Sequence, residues 1–218
     1  MIAPIVATKR TDVNFIILLA GPGVKISELM EQQSVDVTAA GGVSQKYLEK
    51  YRLLYRELIN SILHEPDTAQ AFSKAVVVFN DWQKDKDNLL VKSTTGVTDE
   101  KSKTKFLQEV VKQISTPWFN YFLKFDPAEY LTKVTCPVLA LNGEKDIQVS
   151  AKQNLEAIGN ALKKSNNKNY ITKEIPGLNH LFQHCKLCSV DEYSELEESF
   201  DTGTLTIISN WIKTGRFK

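Results

Sequence analysis

The sequence predicts a mixed α/β fold, in which a few mainly parallel strands are flanked by helices and interrupted by a large helical insertion. Three observations predict it. Residues 12–20 form a nearly continuous apolar run closed by Gly21-Pro22-Gly23, which suits a strand buried on both faces. From Cys136 to Ile175 the pattern alternates strand, turn, helix and strand, the order that sets neighbouring strands parallel. Between these parts, from Val24 to Phe125, the apolar spacing is helical.

The helical block has three clear members. Residues 43–64 place Tyr47, Leu48, Tyr51, Leu54, Tyr55, Leu58, Ile59 and Ile62 on one stripe, and Gln45, Lys46, Glu49, Lys50, Arg52 and Glu57 opposite it. Asp67 suits the N-cap of a second helix running through Ala71, Ala75, Val78, Phe79 and Trp82. A third helix starts near Thr98 and carries Phe106, Leu107, Val110, Val111 and Ile114. The charged stretch Lys84–Gly96 reads as a loop between the second and third. After the block come a strand at 138–141, a helix at 150–162, a strand at 170–175 and a closing helix at 204–212 with Leu205, Ile208, Trp211 and Ile212 on one face.

Composition excludes several classes. The 218 residues carry 27 basic and 26 acidic side chains, a balance that argues against a nucleic-acid reader, which shows a basic surface. No apolar run approaches the roughly 18 residues of a membrane span. Lys9 and Arg10 follow the apolar start where a secretory leader has its charge first, so a cytoplasmic location is expected if Met1 is the true start and export remains open otherwise. Three cysteines, Cys136, Cys185 and Cys188, do not form a disulfide framework, and buried or half-buried thiols are the expectation.

The chemistry concentrates in two segments. Cys136-Pro137-Val138-Leu139-Ala140-Leu141-Asn142-Gly143-Glu144-Lys145-Asp146 delivers an acid from the carboxyl end of a strand, and Gly177-Leu178-Asn179-His180 delivers a histidine after the next one. Taken alone, Asp146 suits a turn and His180 a solvated loop. Glu144 is an alternative acid two positions earlier. His180, His184, Cys185 and Cys188 have zinc-ligand chemistry, but their spacing is tighter than that of the usual two-pair sites, and no metal is assigned. Trp82, Trp118, Phe119, Tyr121 and Phe122 could line an acyl or aromatic pocket, although core packing is the simpler expectation for aromatics on helices.

Acid before base on successive strand ends resembles the back half of an α/β-hydrolase triad, whose chain order is nucleophile, acid, base. The resemblance is to the bacterial serine-aminopeptidase-like or acyl-esterase-like branch, and it implies a partial α/β-hydrolase core at 1–24 and 126–218 with a helical cap at 25–125. It implies that Met1–Arg10 is the helix leaving the nucleophile elbow, that Asp146 and His180 are the triad acid and base, and that the complete family hydrolyses esters, thioesters or peptide-like amides without a cofactor. No G-x-S-x-G elbow occurs in these residues, and neither Ser44 nor Ser150 has its flanking glycines. The expectation is therefore a chain without ordinary hydrolase activity, its partner a small acyl or peptide-like substrate in the complete family. A few-stranded sheet with open edges is also expected to self-associate. The reading from a different class is a non-catalytic small-molecule binding or scaffold protein.

Overall fold

Strand β2 (Val138–Gly143) is buried along its whole length, and the sheet is built on it. In this computed structural model, which describes residues 1–214, β1 (Ile16–Leu19) pairs with one edge of β2 and β3 (Tyr170–Ile175) with the other, both parallel. Ile16 lies opposite Val138, and Val138 opposite Tyr170, so the three strands end at one side of the sheet. The chain divides into two units, Met1–Leu29 with the residues from Asp126 onward, and Met30–Phe125. Residues 215–218 of the expected 126–218 segment lie outside the described residues.

In the first unit the alternation of side chains along β1 and β2 feeds two apolar layers. Ile16, Leu18, Val138 and Ala140 face α9 (Ala151–Lys164), which contributes Ala151, Leu155, Ile158, Ala161 and Leu162. Ala3 and Ala7 of α1 (Ile2–Lys9) and Leu131 of α8 (Ala128–Leu131) join that layer. On the opposite face Leu139, Leu141 and Ile175 pack with Leu178, Phe182 and Trp211, the last carried by α10 (Thr202–Thr214). This is a three-stranded sheet covered on both faces, the arrangement parallel strands require.

The reading of β1 as buried on both faces is corrected. Only Ile16–Leu19 forms the strand, Ile16 and Leu18 are buried, and Leu19 is 42% exposed. An edge strand pairs on one side, so its outward side chains lack the neighbours that enclose β2. Gly23, in the Gly-Pro-Gly that closes the run, has a structural role of its own: a Cβ there would collide with the Asn154 carbonyl and lie 3.0 Å from the Ile158 amide. The close approach lets the buried Asn154 side chain accept hydrogen bonds from Gly23 N–H (2.8 Å) and Val24 N–H (3.4 Å) while its amide donates to Ser150 O (3.0 Å).

The second unit is helical. α2 (Ile26–Ala40) begins in the first unit and continues into the second, followed by α3 (Gln45–Ile62), α4 (Thr68–Gln83), α5 (Asn88–Thr95), α6 (Glu100–Ser115) and α7 (Pro117–Lys124). The predicted stripe of α3 is largely buried, with Tyr47, Leu48, Leu54, Leu58, Ile59 and Ile62 inside. Ala71 and Ala75 are also fully buried, and their size lets α4 pack closely. Asp67 caps α4 through Ala69 N–H and Gln70 N–H, and Asp99 opens α6 in a capping box with Ser102. Glu31 on α2 accepts a two-pronged pair from Arg56 on α3 (2.7 and 2.8 Å), which foremost holds its carboxyl below the usual range.

Two expectations for this unit are overturned. Lys84–Gly96 is not all loop, because Asp87 accepts from Leu90 N–H (2.7 Å) at the start of α5 and Gly96, left-handed at φ 71°, closes it. Two of the α7 aromatics lie outside a core, Trp118 at 68% and Tyr121 at 61% exposed, while Phe119 and Phe122 are half-buried and the Trp118 and Phe122 rings stack 5.0 Å apart. Trp82 instead anchors locally, donating Nε1–H to Lys50 O (2.7 Å) beside the Phe79 ring.

Asn154→Ala should cost about 1–3 kcal/mol in urea denaturation, since it leaves two backbone amides without their acceptor. An unchanged midpoint would show that the join between the Gly-Pro-Gly turn and α9 does not stabilise the fold.

Candidate functional site

The turn that follows β2 is fastened to the end of β3. Glu144 N–H donates to Ile175 O (2.9 Å), Lys145 N–H to Leu178 O (2.9 Å), and Asp146 N–H closes the turn on Gly143 O (3.2 Å). Gly143 permits this because a Cβ would lie 2.5 Å from Asn179 O and closer still to Leu178 O. Only a residue without a side chain lets the histidine loop come so near the end of β2.

Asp146 and His180 meet there. The Asp146 side chain is fully buried, and its Oδ1 accepts from Gln148 N–H and Val149 N–H, both at 2.8 Å. Oδ2 accepts from Asn142 Nδ2 (3.0 Å) and lies 2.8 Å from His180 Nδ1. A carboxylate has only acceptors to offer, so the imidazole places its proton on Nδ1 and leaves Nε2 able to accept one. The His180 side chain is 26% exposed, so the imidazole is accessible while the carboxyl is not.

The loop that presents His180 is ordered by its own amides. Buried Asn179 accepts from Leu181 N–H (2.9 Å) and Gln183 N–H (3.0 Å), and donates to Gln183 Oε1 (3.0 Å). Gln183 in turn donates to Glu198 O (2.7 Å), which ties the loop to the chain ahead of α10. Phe182 takes a left-handed φ of 59° and packs under the sheet against Phe200.

Glu144, the alternative acid, is engaged elsewhere. Its carboxylate accepts from Gly177 N–H (2.9 Å) and pairs with Lys145, and the Gly177 bond foremost holds its carboxyl below the usual range. Ser44 and Ser150 occupy the N-cap positions of α3 and α9.

The thiol expectation holds for Cys136, which is free and half-buried and whose thiol is pushed up by burial. It is wrong for the other two. Cys185 and Cys188 form a disulfide, so neither offers a thiolate to a metal. His184 lies 3.0 Å from Glu198 through Nδ1, and its ligand atoms, those of Glu198 and those of Asp201 fall within 4.8 Å of one another.

Sequence reasoning missed Tyr193, carried on a 3-10 turn at Val190–Glu195. Its hydroxyl accepts from Gln148 Nε2 (3.2 Å) and lies at the His180 backbone amide. Burial raises its phenol above the ordinary value, Asp146's charge raises it further, and those two hydrogen bonds oppose the rise. No local pattern marks Tyr193, because its partners come from two distant loops. Asn142, which donates to Oδ2 of Asp146, was also missed, although a polar residue at the end of an apolar strand is a usable signal.

Two cavities lie in the second unit. One of about 860 Å³ is lined by Asn80, Lys84, Lys92 and Lys103 among others, and an apolar one of about 530 Å³ by Phe72, Val111 and neighbours. Neither is lined by Asp146 or His180.

Asp146→Asn keeps one oxygen for the Gln148 and Val149 amides but turns an NH₂ toward Asn142 Nδ2 and His180 Nδ1–H, or the reverse. We expect a loss of about 2 kcal/mol in chemical denaturation and disappearance of the downfield imidazole Nδ1 proton in NMR. A resonance that survives unchanged would remove Asp146 as its acceptor. For Tyr193 the folded pKa is raised, so its contribution to stability is present in full below the unfolded phenol value of about 10 and is lost as pH rises through the folded value. Tyr51 and Tyr55, raised chiefly by burial in the second unit, act in the same direction. Tyr193→Phe should therefore flatten part of the alkaline fall in stability, read as the difference between two melting-against-pH curves.

Compared with protein-family models, with curated proteins and with solved structures, the chain finds no match in any of the three.

Proposed function

We propose that Asp146 and His180 are the acid and base of a serine-hydrolase site of the α/β-hydrolase kind, acting on an ester, thioester or peptide-like amide. The observation that carries this reading is the 2.8 Å contact of His180 Nδ1 with a fully buried Asp146 Oδ2, at the carboxyl ends of adjacent parallel strands. Ligands of open parallel sheets bind at that end. The chain order, acid then base, is also that of the family.

In this reading His180 Nε2 takes the proton of an attacking hydroxyl and returns it to the leaving group. Asp146 holds the ring orientation and stabilises the imidazolium. The hydroxyl comes from an elbow outside these residues, which contain no G-x-S-x-G, and so do the amides that would bind the oxyanion. By themselves the 218 residues then hydrolyse nothing by this route.

A fluorophosphonate probe should accordingly leave the 218-residue chain unlabelled. Joined to an in-frame upstream segment bearing strand, G-x-S-x-G and helix, it should label the elbow serine, and His180→Ala should slow that labelling by about 10³-fold or more. Labelling of a serine within these 218 residues, or indifference of the elbow serine to His180→Ala, would sink the proposal.

A second reading, a non-catalytic binding protein, is favoured by cavities that do not include the pair. Saturable binding of a small molecule in the second unit, unaffected by His180→Ala, would support it. In either reading we propose self-association through a sheet edge, because among the described residues β1 and β3 each pair on one side only. Light scattering should show a dimer at micromolar concentration, and a clean monomer would count against it.

A further inference from the structure

The residues between His180 and α10 form a connected device. Cys185 and Cys188 close a four-residue ring, and inside it the amides of Lys186, Leu187 and Cys188 converge on one carboxylate. Glu192 accepts from all three, at 3.0 Å from Lys186, 3.0 Å from Leu187 and 2.7 Å from Cys188. Successive amides directed at one point form an anion-binding nest. The ring holds them so, and it keeps Cys188 in a left-handed φ of 57° that a non-glycine residue disfavours. Glu192 immediately precedes Tyr193 on the 3-10 turn, and the Tyr193 hydroxyl meets Gln148 and the His180 amide.

From this geometry we infer that the Cys185–Cys188 disulfide is a redox-controlled latch on the Asp146–His180 pair. While the bond is closed, the nest holds Glu192 and so seats Tyr193 beside His180. When it opens, Cys188 leaves the left-handed region, the nest disperses, and Tyr193 moves into solvent. As regulation of a hydrolytic site the latch rests on the function proposed above, but its mechanical content does not.

The reductant is an external dithiol. One of its thiolates attacks a sulfur of the pair, forming a mixed disulfide and expelling the other cysteine as a thiolate. Its second sulfur then displaces the remaining cysteine, so the dithiol leaves as a disulfide. Two electrons pass to the protein, and two protons lost by the dithiol are balanced by those taken up on Cys185 and Cys188. Cys136 does not serve as the attacking thiol, since it precedes β2 and lies toward the end of the sheet opposite the His180 loop. Both cysteines are half-exposed, and Leu187 between them is 79% exposed, so the dithiol can reach the bond.

The test uses the 218-residue chain with Cys136→Ser, so that only the pair responds, oxidised or reduced with excess dithiothreitol. Reduction should speed hydrogen exchange at the amides of 186–188 about 10-fold or more and bring the Tyr193 titration, followed by NMR of labelled tyrosine, down toward about 10. Glu192→Gln in the oxidised protein should produce the same fall in the Tyr193 titration. The latch is refuted if reduction changes neither readout, or if Glu192→Gln leaves Tyr193 where it was. It is equally refuted if the amides of Leu139–Leu141 lose protection on reduction, because the bond is then a brace for the whole sheet. Neither readout involves acyl chemistry, so they stand if the hydrolase reading fails. Labelling of an elbow serine in the extended chain likewise stands if the latch fails.

Discussion

The buried carboxylate of Asp146 is the constraint on which the first unit turns. Taking an ion of that size out of water costs several kcal/mol unless its oxygens find donors. Here the donors come from three places: Asn142 at the end of β2, the amides of Gln148 and Val149 ahead of α9, and the imidazole after β3. Each donor group therefore has to arrive at one point. The parallel register of β2 with β3, the missing side chain of Gly143 and the Asn179-to-Gln183 bonds of the histidine loop all bring them there.

The same geometry explains why β2 is the centre of the sheet. Its six residues are buried on both faces, with Val138 and Ala140 toward α9 and Leu139 and Leu141 toward α10, so the strand end cannot shift without unpacking two layers. Removing a buried leucine side chain from such a place costs about 2–5 kcal/mol. A rigid strand is thus the platform for the turn. The loop opposite buries Leu178 and Phe182 in one of those layers and is further held by side-chain amides, by the bridge between Leu178 and His184, and by the disulfide.

Much of the architecture was legible because it rests on local pattern. The span of β3, the stripe of α3 and the cap of α4 follow from alternation, helical spacing and Asp at a helix start. α5 was missed although Asp87 and Gly96 bracket it, because only Leu90, Val91 and Thr94 turn inward and charged neighbours hide so short a face. The extent of β1 and the exposure of Trp118 depend on what lies beside them, which composition does not encode. Asp146 and His180 stand out in the sequence only through the resemblance of the segments around them, and their contact is what the structure adds. The Cys185–Cys188 bond was not legible, since the same two-residue gap serves free thiols, metal ligands and disulfides alike. Tyr193 was invisible because its role exists only where the 3-10 turn meets the β2–α9 loop.

The two oxygens of Asp146 divide the work in a way that bears on function. An aspartate needed only for its turn would be satisfied by Oδ1, which takes both backbone amides. Oδ2 has no backbone donor, and it is completed by two side chains, Asn142 and His180. Asn142 is wholly buried, and its Nδ2 is shared between the carboxylate and Val149 O (2.8 Å), whereas His180 reaches solvent. The pair thus joins a fully buried carboxyl to an imidazole that is 26% exposed, the arrangement on which the proposed general-base role draws.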